Sequence, residues 1–189
     1  EKAGETPVLT AVATDGHRLA CAKIALPEGA KGMPGVIIPR KTIGEISKLL
    51  VENDGEVAVS LSANQIRFAL GEVVLASRLI DGTYPEYEKV IPSANDKTVE
   101  ADSAALAAVI ERVSVVSEKS RGVKLTIKEN LIQVSAAAVD EGSAEDELDA
   151  AYTGPELEIG FNFRYLLDIL GQIKGGQVHL ILNDMVSPV

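Results

Sequence analysis

The chain has 189 residues, 46% of them apolar, with no Trp, three Phe and four Tyr; that length allows one large or two small domains, and the core has to be aliphatic. The formal net charge of −10 argues against bulk electrostatic gripping of nucleic acid and leaves protein partners, or DNA contact along a local basic face. The single Cys excludes an internal disulfide and points to a reducing compartment, while no apolar run nears the roughly 20 residues that span a bilayer and no leader pattern opens the chain, so a soluble, cytoplasmic protein is expected.

The chain opens without Met at Glu1-Lys2 and ends at Pro188-Val189, which reads as the inside of a strand; a fragment of a longer chain is expected. The first elements are two alternating apolar runs, Val8 to Ala13 and Leu19 to Ile24, around Thr14-Asp15-Gly16-His17-Arg18. Asp-Gly between such runs is a strong hairpin signal, so His17 and Arg18 are expected to leave a tight turn at the start of the second strand. Cys21, beside Leu19, Ala20 and Ala22, reads as a buried, inert thiol.

Ile43, Ile46, Leu49 and Leu50 recur at helical spacing. Next, Val57 to Phe68 alternates around a turn at Asn64 and predicts a strand pair. A stretch from Asp81 to Lys97 holds turn formers, Pro85 and Pro92, yet also Tyr84, Tyr87, Val90 and Ile91. It reads as a domain boundary whose apolar residues pack against a domain instead of dangling. Leu106, Val109, Ile110 and Val113 predict a helix capped at Asp102 or Ser103, and Val123 to Val134 predicts a second strand pair turning at Asn130. Val139 to Asp149 reads as an acidic loop, either plain solvated surface or an acidic edge seeking a basic partner. Leu166, Leu167, Ile169 and Leu170 predict a last helix after a cap at Asn162.

These elements repeat. Val57 to Phe68 matches Val123 to Val134 at an offset of 66, and Gly55 to Leu61 matches Gly176 to Leu182 at an offset of 121. The unit is strand, helix and hairpin, used more than once, which gives an α+β class with antiparallel sheets and helices layered on one face.

The chemistry-bearing residues are sparse. Asp15 and His17 could form an acid–base pair, or Asp15 and Asp81 could ligate a metal, which leaves a small hydrolase using these three as one reading. Yet residues two apart across a tight turn seldom point together. The chain has only His17 and His179, and it lacks H-E-x-x-H, P-loop, G-x-G-x-x-G, G-x-S-x-G and Cys-cluster patterns. No enzyme, cofactor or metal is therefore expected. Basic residues cluster locally: Arg40, Lys41 and Lys48, then Arg112, Lys119, Arg121 and Lys124, then Arg164 and Lys174. Without an aromatic stacking platform or recognition helix, any DNA contact would be to phosphates and independent of sequence. Thr14, Gly16, His17 and Leu19, together with Pro85, Lys89 and Val90, could instead form an apolar groove with a cationic rim. On the plainer reading Leu19 and Val90 are core and His17 is surface.

Several segments in order resemble the bacterial β sliding clamp family, the β subunit of DNA polymerase III: A-T-D-G-H-R-L-A at 13–20, I-P-R-K at 38–41, S-R-L-I-D-G-T-Y-P-E-Y-E-K-V-I-P at 77–92, S-E-K-S-R-G-V-K-L at 117–125 and Y-T-G-P-E-L-E-I-G-F-N at 152–162. The resemblance implies copies of one α+β domain, here residues 1–86 as the middle domain lacking its first part, and 87–189 as the C-terminal domain lacking its last strand and tail. It implies a non-enzymatic processivity factor of DNA replication, in which a homodimeric ring encircles duplex DNA with helices lining the hole. Through short linear motifs carrying a Gln and a Leu-Phe-like end, such a ring tethers the replicative polymerase, the clamp loader and repair proteins. A stand-alone peptide-binding module that does not encircle DNA is the alternative. Carried over residue by residue, the partner-peptide pocket would comprise Thr14, Gly16, His17, Arg18, Leu19, Pro85, Lys89, Val90, Asn162, Tyr165, Val186 and Pro188. Lys89 stands where relatives often carry Arg, which exchanges a planar fork for a point charge. Arg40 and Lys41, with Lys48 one face-turn on, would face the DNA, and Ser114, Val115, Asp140, Glu141, Glu145 and Asp146 would meet the neighbouring subunit.

Overall fold

The computed structural model describes residues 6–51, 55–117, 119–139, 142–173 and 175–189. The chain divides into two compact units, Glu1–Tyr87 and Glu88–Val189. All strand pairs among the described residues are antiparallel, and strands far outnumber helices, as an α+β reading requires.

In the first unit, β1 (Val8–Thr14) pairs with β2 (Leu19–Ala25), from Val8 opposite Ala25 to Thr14 opposite Leu19. Helix α1 (Arg40–Val51) lies ahead of a meander of β3 (Ala58–Leu61), β4 (Gln65–Leu70) and β5 (Val73–Arg78), ordered β3-β4-β5. Alternation along β4 turns Ile66, Phe68 and Leu70 inward onto a small core with Ile46 of α1. The hydroxyls of Thr42 on α1 and Ser77 on β5 hydrogen-bond at 2.7 Å, which satisfies a buried polar group where helix meets sheet.

The second unit holds most of the buried apolar residues. Strand β6 (Lys97–Asp102) leads into α2 (Ser103–Ser114), followed by β7 (Gly122–Lys128), β8 (Leu131–Ala138), β9 (Gly142–Asp149), β10 (Leu157–Asn162), α3 (Phe163–Leu170) and β11 (Gln177–Leu182). The sheets run β10-β7-β8-β9 and β11-β6. Leu106, Val109, Ile110 and Val113 line the buried face of α2, which packs over β7, β8 and β9 and against α3. Beneath lie Leu125, Ile127, Ile132 and Val134, all fully buried. Asp102 is the cap of α2 and accepts from the Ala105 N–H at 2.8 Å. Asn130, between β7 and β8, takes a left-handed φ of 58°, which Asn tolerates better than most residues, whereas Asn64 at the matching turn of the repeat is not left-handed.

Four expectations need correction. Cys21 is exposed, because it lies on a two-stranded sheet with most of its residues open, including Val8 and Ile24. The acidic stretch is no loop from 142 onward: Gly142–Asp149 is strand β9, in register with β8. The last described strand ends at Leu182, and residues 183–189 form bends and coil. On α1 only Ile46 of the four periodic apolar residues is buried, with Leu49 partly so; Ile43 and Leu50 are exposed. Asp140, Glu141 and Lys174 fall outside the described residues.

Candidate functional site

The hairpin loop builds one set of candidate residues. Strand pairing stops at Thr14 and Leu19, so Asp15 to Arg18 form a four-residue loop and not the tighter turn that Asp-Gly predicts. Gly16 has φ +86°, a conformation glycine adopts without Cβ strain. Asp15 Oδ1 accepts from the backbone N–H groups of both His17 and Arg18 at 3.0 Å, and Oδ2 accepts from Arg18 Nε at 3.0 Å. Thr14 Oγ1 donates to the Arg18 carbonyl at 2.8 Å and accepts from the Gly16 N–H at 3.1 Å. The backbone donors of His17 and Arg18 hold the Asp15 carboxyl down at about 2, with the Arg18 side chain adding to the effect. This carboxylate serves the turn, accepting from the main chain of His17 and Arg18.

Still within the first unit, Tyr84 donates its hydroxyl to the Val12 carbonyl on β1 at 3.1 Å, which ties the segment ahead of Pro85 to the hairpin strand. That is the packing expected of an apolar linker. The Pro85 carbonyl accepts from the Tyr87 N–H at 2.8 Å. In the second unit, Lys89 closes a 3₁₀ turn over Tyr87–Lys89, and Val90 follows, exposed.

The remaining candidates sit at the ends of α3 and β11. Asn162 caps α3, accepting from the Arg164 N–H at 3.1 Å, and Tyr165 lies half-buried on the first turn. The Arg164 guanidinium stands 5.8 Å from the Phe163 ring centre, within cation–π range. Val186 and Pro188 are exposed. Their segment is held by residues the sequence reading missed: Asp184 Oδ1 accepts from the N–H groups of Val186 and Ser187 at 2.9 and 2.7 Å. Asn95 Nδ2 donates to the carbonyls of Ile181 and Pro188 at 2.7 and 2.8 Å. An open groove of about 780 Å³ in this unit has Val123, Ala136, Ala144 and Phe161 on its apolar side, with Arg121, Lys124, Ser135 and Asn162 among its polar residues. Arg121, in left-handed backbone at φ 58°, donates its N–H to the Ser117 carbonyl at 2.6 Å and accepts from the Phe163 N–H at 3.0 Å. It thereby anchors the start of α3.

The charged sets separate. Arg40 and Lys41 are exposed at the start of α1, whose first turn has no acidic residue. Lys48 pairs with Glu45 at 3.2 Å. Arg112 pairs with Asp146 and Lys124 with Glu158, each at 2.7 Å. Gln133 Nε2 donates to Glu145 Oε1 at 2.5 Å. Ser114 is buried at the end of α2, donating to the Glu111 carbonyl at 3.0 Å, while Val115 beside it is exposed. Strand β9 is the edge of its sheet among the described residues. Among those residues, no group of three His, Cys, Asp or Glu is placed to hold a metal, and no helix is long and apolar enough to cross a membrane.

Comparison with known proteins gives a consistent result. Residues 2–86 match the DNA polymerase III beta subunit central domain, and residues 88–189 match its C-terminal domain. The chain is 45% identical over 186 residues to the Beta sliding clamp of Caulobacter vibrioides, covering 98% of this chain and 50% of that protein. Against the Beta sliding clamp of Escherichia coli K12 it is 38% identical over 182 residues, covering 96% and 50%. The crystal structure of a DnaN sliding clamp from Bartonella birtlesii bound to griselimycin is similar at a TM-score of 0.90 and 49% identity, covering 95% of this chain and 49% of that one. The chain spans about half the length of the curated relatives it matches. With two adjoining domain matches in one chain, it belongs to the DNA polymerase III beta subunit family, the sliding clamps.

Proposed function

We propose that this chain supplies two domains of a replication clamp, residues 1–86 as the middle domain and 87–189 as the C-terminal one. Such a clamp is a non-catalytic, cytoplasmic processivity factor, an accessory to a DNA-directed DNA polymerase. The observation that carries the reading is the pair of family matches lying end to end in the family's order; a stand-alone peptide module gives no reason for that order. In the assembled homodimeric ring, duplex DNA is encircled and the polymerase is held near its template by effective concentration, without tight DNA contact. A net charge of −10 is compatible with topological retention, since such retention needs no strong phosphate binding.

Within this reading, Arg40 and Lys41 face DNA phosphates, with Lys48 further along α1. Cations in a first helical turn oppose the helix dipole, so they do not serve the stability of α1, and an anion outside the helix gives them a use. Ser114, Val115, Asp140, Glu141, Glu145 and Asp146 contribute to the contact with the neighbouring subunit. An acidic edge strand suits a basic partner edge.

Short linear motifs of the polymerase, clamp loader and repair proteins bind through Thr14, Gly16, His17, Arg18, Leu19 and Pro85 of the first unit, and Lys89, Val90, Asn162, Tyr165, Val186 and Pro188 of the second. Exposed Val90 and Val186 offer apolar surface for a Leu-Phe-like end. Clamps of Bartonella birtlesii and Pseudomonas aeruginosa have been crystallised bound to griselimycin, which makes that molecule a probe here. The test titrates griselimycin, and separately a synthetic peptide with a Gln and a Leu-Phe end, while the ring resonances of His17 and His179 are followed by NMR. A saturable shift at His17 with His179 unmoved is expected; silence at His17 with both probes overturns the peptide-site assignment.

A further inference from the structure

Two of the proposed contact segments are held by the same device, each within its own unit. In the first, Asp15 Oδ1 accepts from the N–H groups two and three residues ahead, at His17 and Arg18. In the second, Asp184 Oδ1 accepts from the N–H groups two and three residues ahead, at Val186 and Ser187. Neither segment belongs to a helix or strand, so no ladder of main-chain bonds fixes its course. The aspartate supplies part of that constraint, beside Thr14 in the first segment and Asn95 in the second, and Asp15 Oδ2 also takes Arg18 Nε, which orders a long side chain. Main-chain N–H groups that would otherwise bond water are satisfied in one backbone course.

We propose that Asp15 and Asp184 are positioning residues of the partner-peptide site, which hold His17 with Arg18, and Val186 with Ser187, in the arrangement that meets the peptide. The inference rests on the peptide-site reading. Its physical content is preorganisation: a segment already ordered gives up less conformational freedom on binding. The two carboxylates differ in one respect. Asp184 works through Oδ1 to main-chain donors, which an amide oxygen can also accept. Asp15 adds the Arg18 side chain through Oδ2, which the NH₂ of an amide cannot accept.

The test measures the dissociation constant of the Gln and Leu-Phe peptide for the full 189-residue chain and for Asp15→Ala, Asp15→Asn, Asp184→Ala and Asp184→Asn. Thermal melting of each variant is recorded alongside. Both Ala variants are expected to bind about tenfold more weakly, the affinity equivalent of ordering one or two side chains afresh. Asp184→Asn is expected to return to within about threefold of the parent, and Asp15→Asn to fall between parent and Ala. An Ala variant that binds like the parent, or Asn variants as weak as Ala at unchanged melting temperature, overturns the positioning role while leaving the peptide site intact. If the Ala variants fail to fold, the Asn pair alone decides, by whether Asp15→Asn loses more affinity than Asp184→Asn. A parent chain that fails to bind the peptide overturns the peptide-site reading, and this inference with it.

Discussion

Arg112 on α2 and Asp146 on β9 form a two-pronged ion pair, Nε and Nη2 both reaching Asp146 Oδ2 at 2.7 Å. It ties the helix to the edge strand. The guanidinium, with the Glu147 N–H, holds the Asp146 carboxyl below its usual value. Because the two side chains are 60% and 33% exposed, water and salt limit what the pair contributes. A double-mutant cycle of Arg112→Ala and Asp146→Ala, read by thermal melting, should give a small favourable coupling at low salt. In about 1 M NaCl, where charges are screened within roughly 3 Å, that coupling should vanish. A coupling indifferent to salt would assign the effect to packing of the Arg112 stem instead.

The Asp15 carboxyl supplies a pH prediction. Its ordinary value is 3.8 and the folded loop lowers it to about 2, chiefly through the His17 and Arg18 backbone donors. A depressed value means that folding favours the charged form. Its contribution to the loop is therefore complete above 3.8 and drains away as pH falls through about 2. A carboxyl-carbon NMR titration should place its midpoint near the lower figure. Arg18→Ala should leave it still depressed, because both backbone donors remain; a return to the ordinary carboxylate value would shift the cause to the guanidinium.

The parts of this fold governed by local chemistry were legible in the sequence. Thr14-Asp15-Gly16 between alternating runs marked the hairpin, and Asp102 and Asn162 marked helix starts, since capping depends on residue type and a three-residue reach. What failed depended on distant partners. Strand β9 was hidden because Asp146 occupies an inward position where alternation calls for an apolar residue, and its tolerance comes from Arg112, 34 residues away. The clasp of Asn95 on Ile181 and Pro188 spans 86 and 93 residues, so no window along the chain displays it. Cys21 was misread because an apolar neighbourhood in sequence predicts burial only where a second layer covers the strand.

Asn162 allows the capping of α3 to be tested by substitution. As the cap of α3 it satisfies the Arg164 N–H, and Asn→Ala at such a position costs about 0.5–2 kcal/mol. Asn162→Ala should lower the urea midpoint of unfolding accordingly, whereas Asn162→Asp retains a capping oxygen and adds a charge the helix N-terminus favours. Asn162→Asp should therefore melt like the parent. If it melts like Asn162→Ala, the side chain stabilises through something other than the cap.

Gly154 is required by a neighbour and not by its backbone angles. A Cβ there would run into the ring and hydroxyl of Tyr152. That ring is only 5% exposed and its hydroxyl donates to the Pro155 carbonyl at 2.8 Å. Tyr152 belongs to the main core of the second unit, so it has little room to swing aside in a close-packed interior. Gly154→Ala should then cost about 1–3 kcal/mol by overpacking, while Tyr152→Phe, which removes one hydrogen bond, should cost about 0.5–1.5 kcal/mol. The double variant discriminates the cause. Ring carbons of Tyr152 also obstruct the new Cβ, so deleting the hydroxyl should not rescue Gly154→Ala. Urea unfolding of the double variant should show it at least as unstable as Gly154→Ala alone; recovery toward the parent would mean that the hydroxyl alone excludes a side chain at 154.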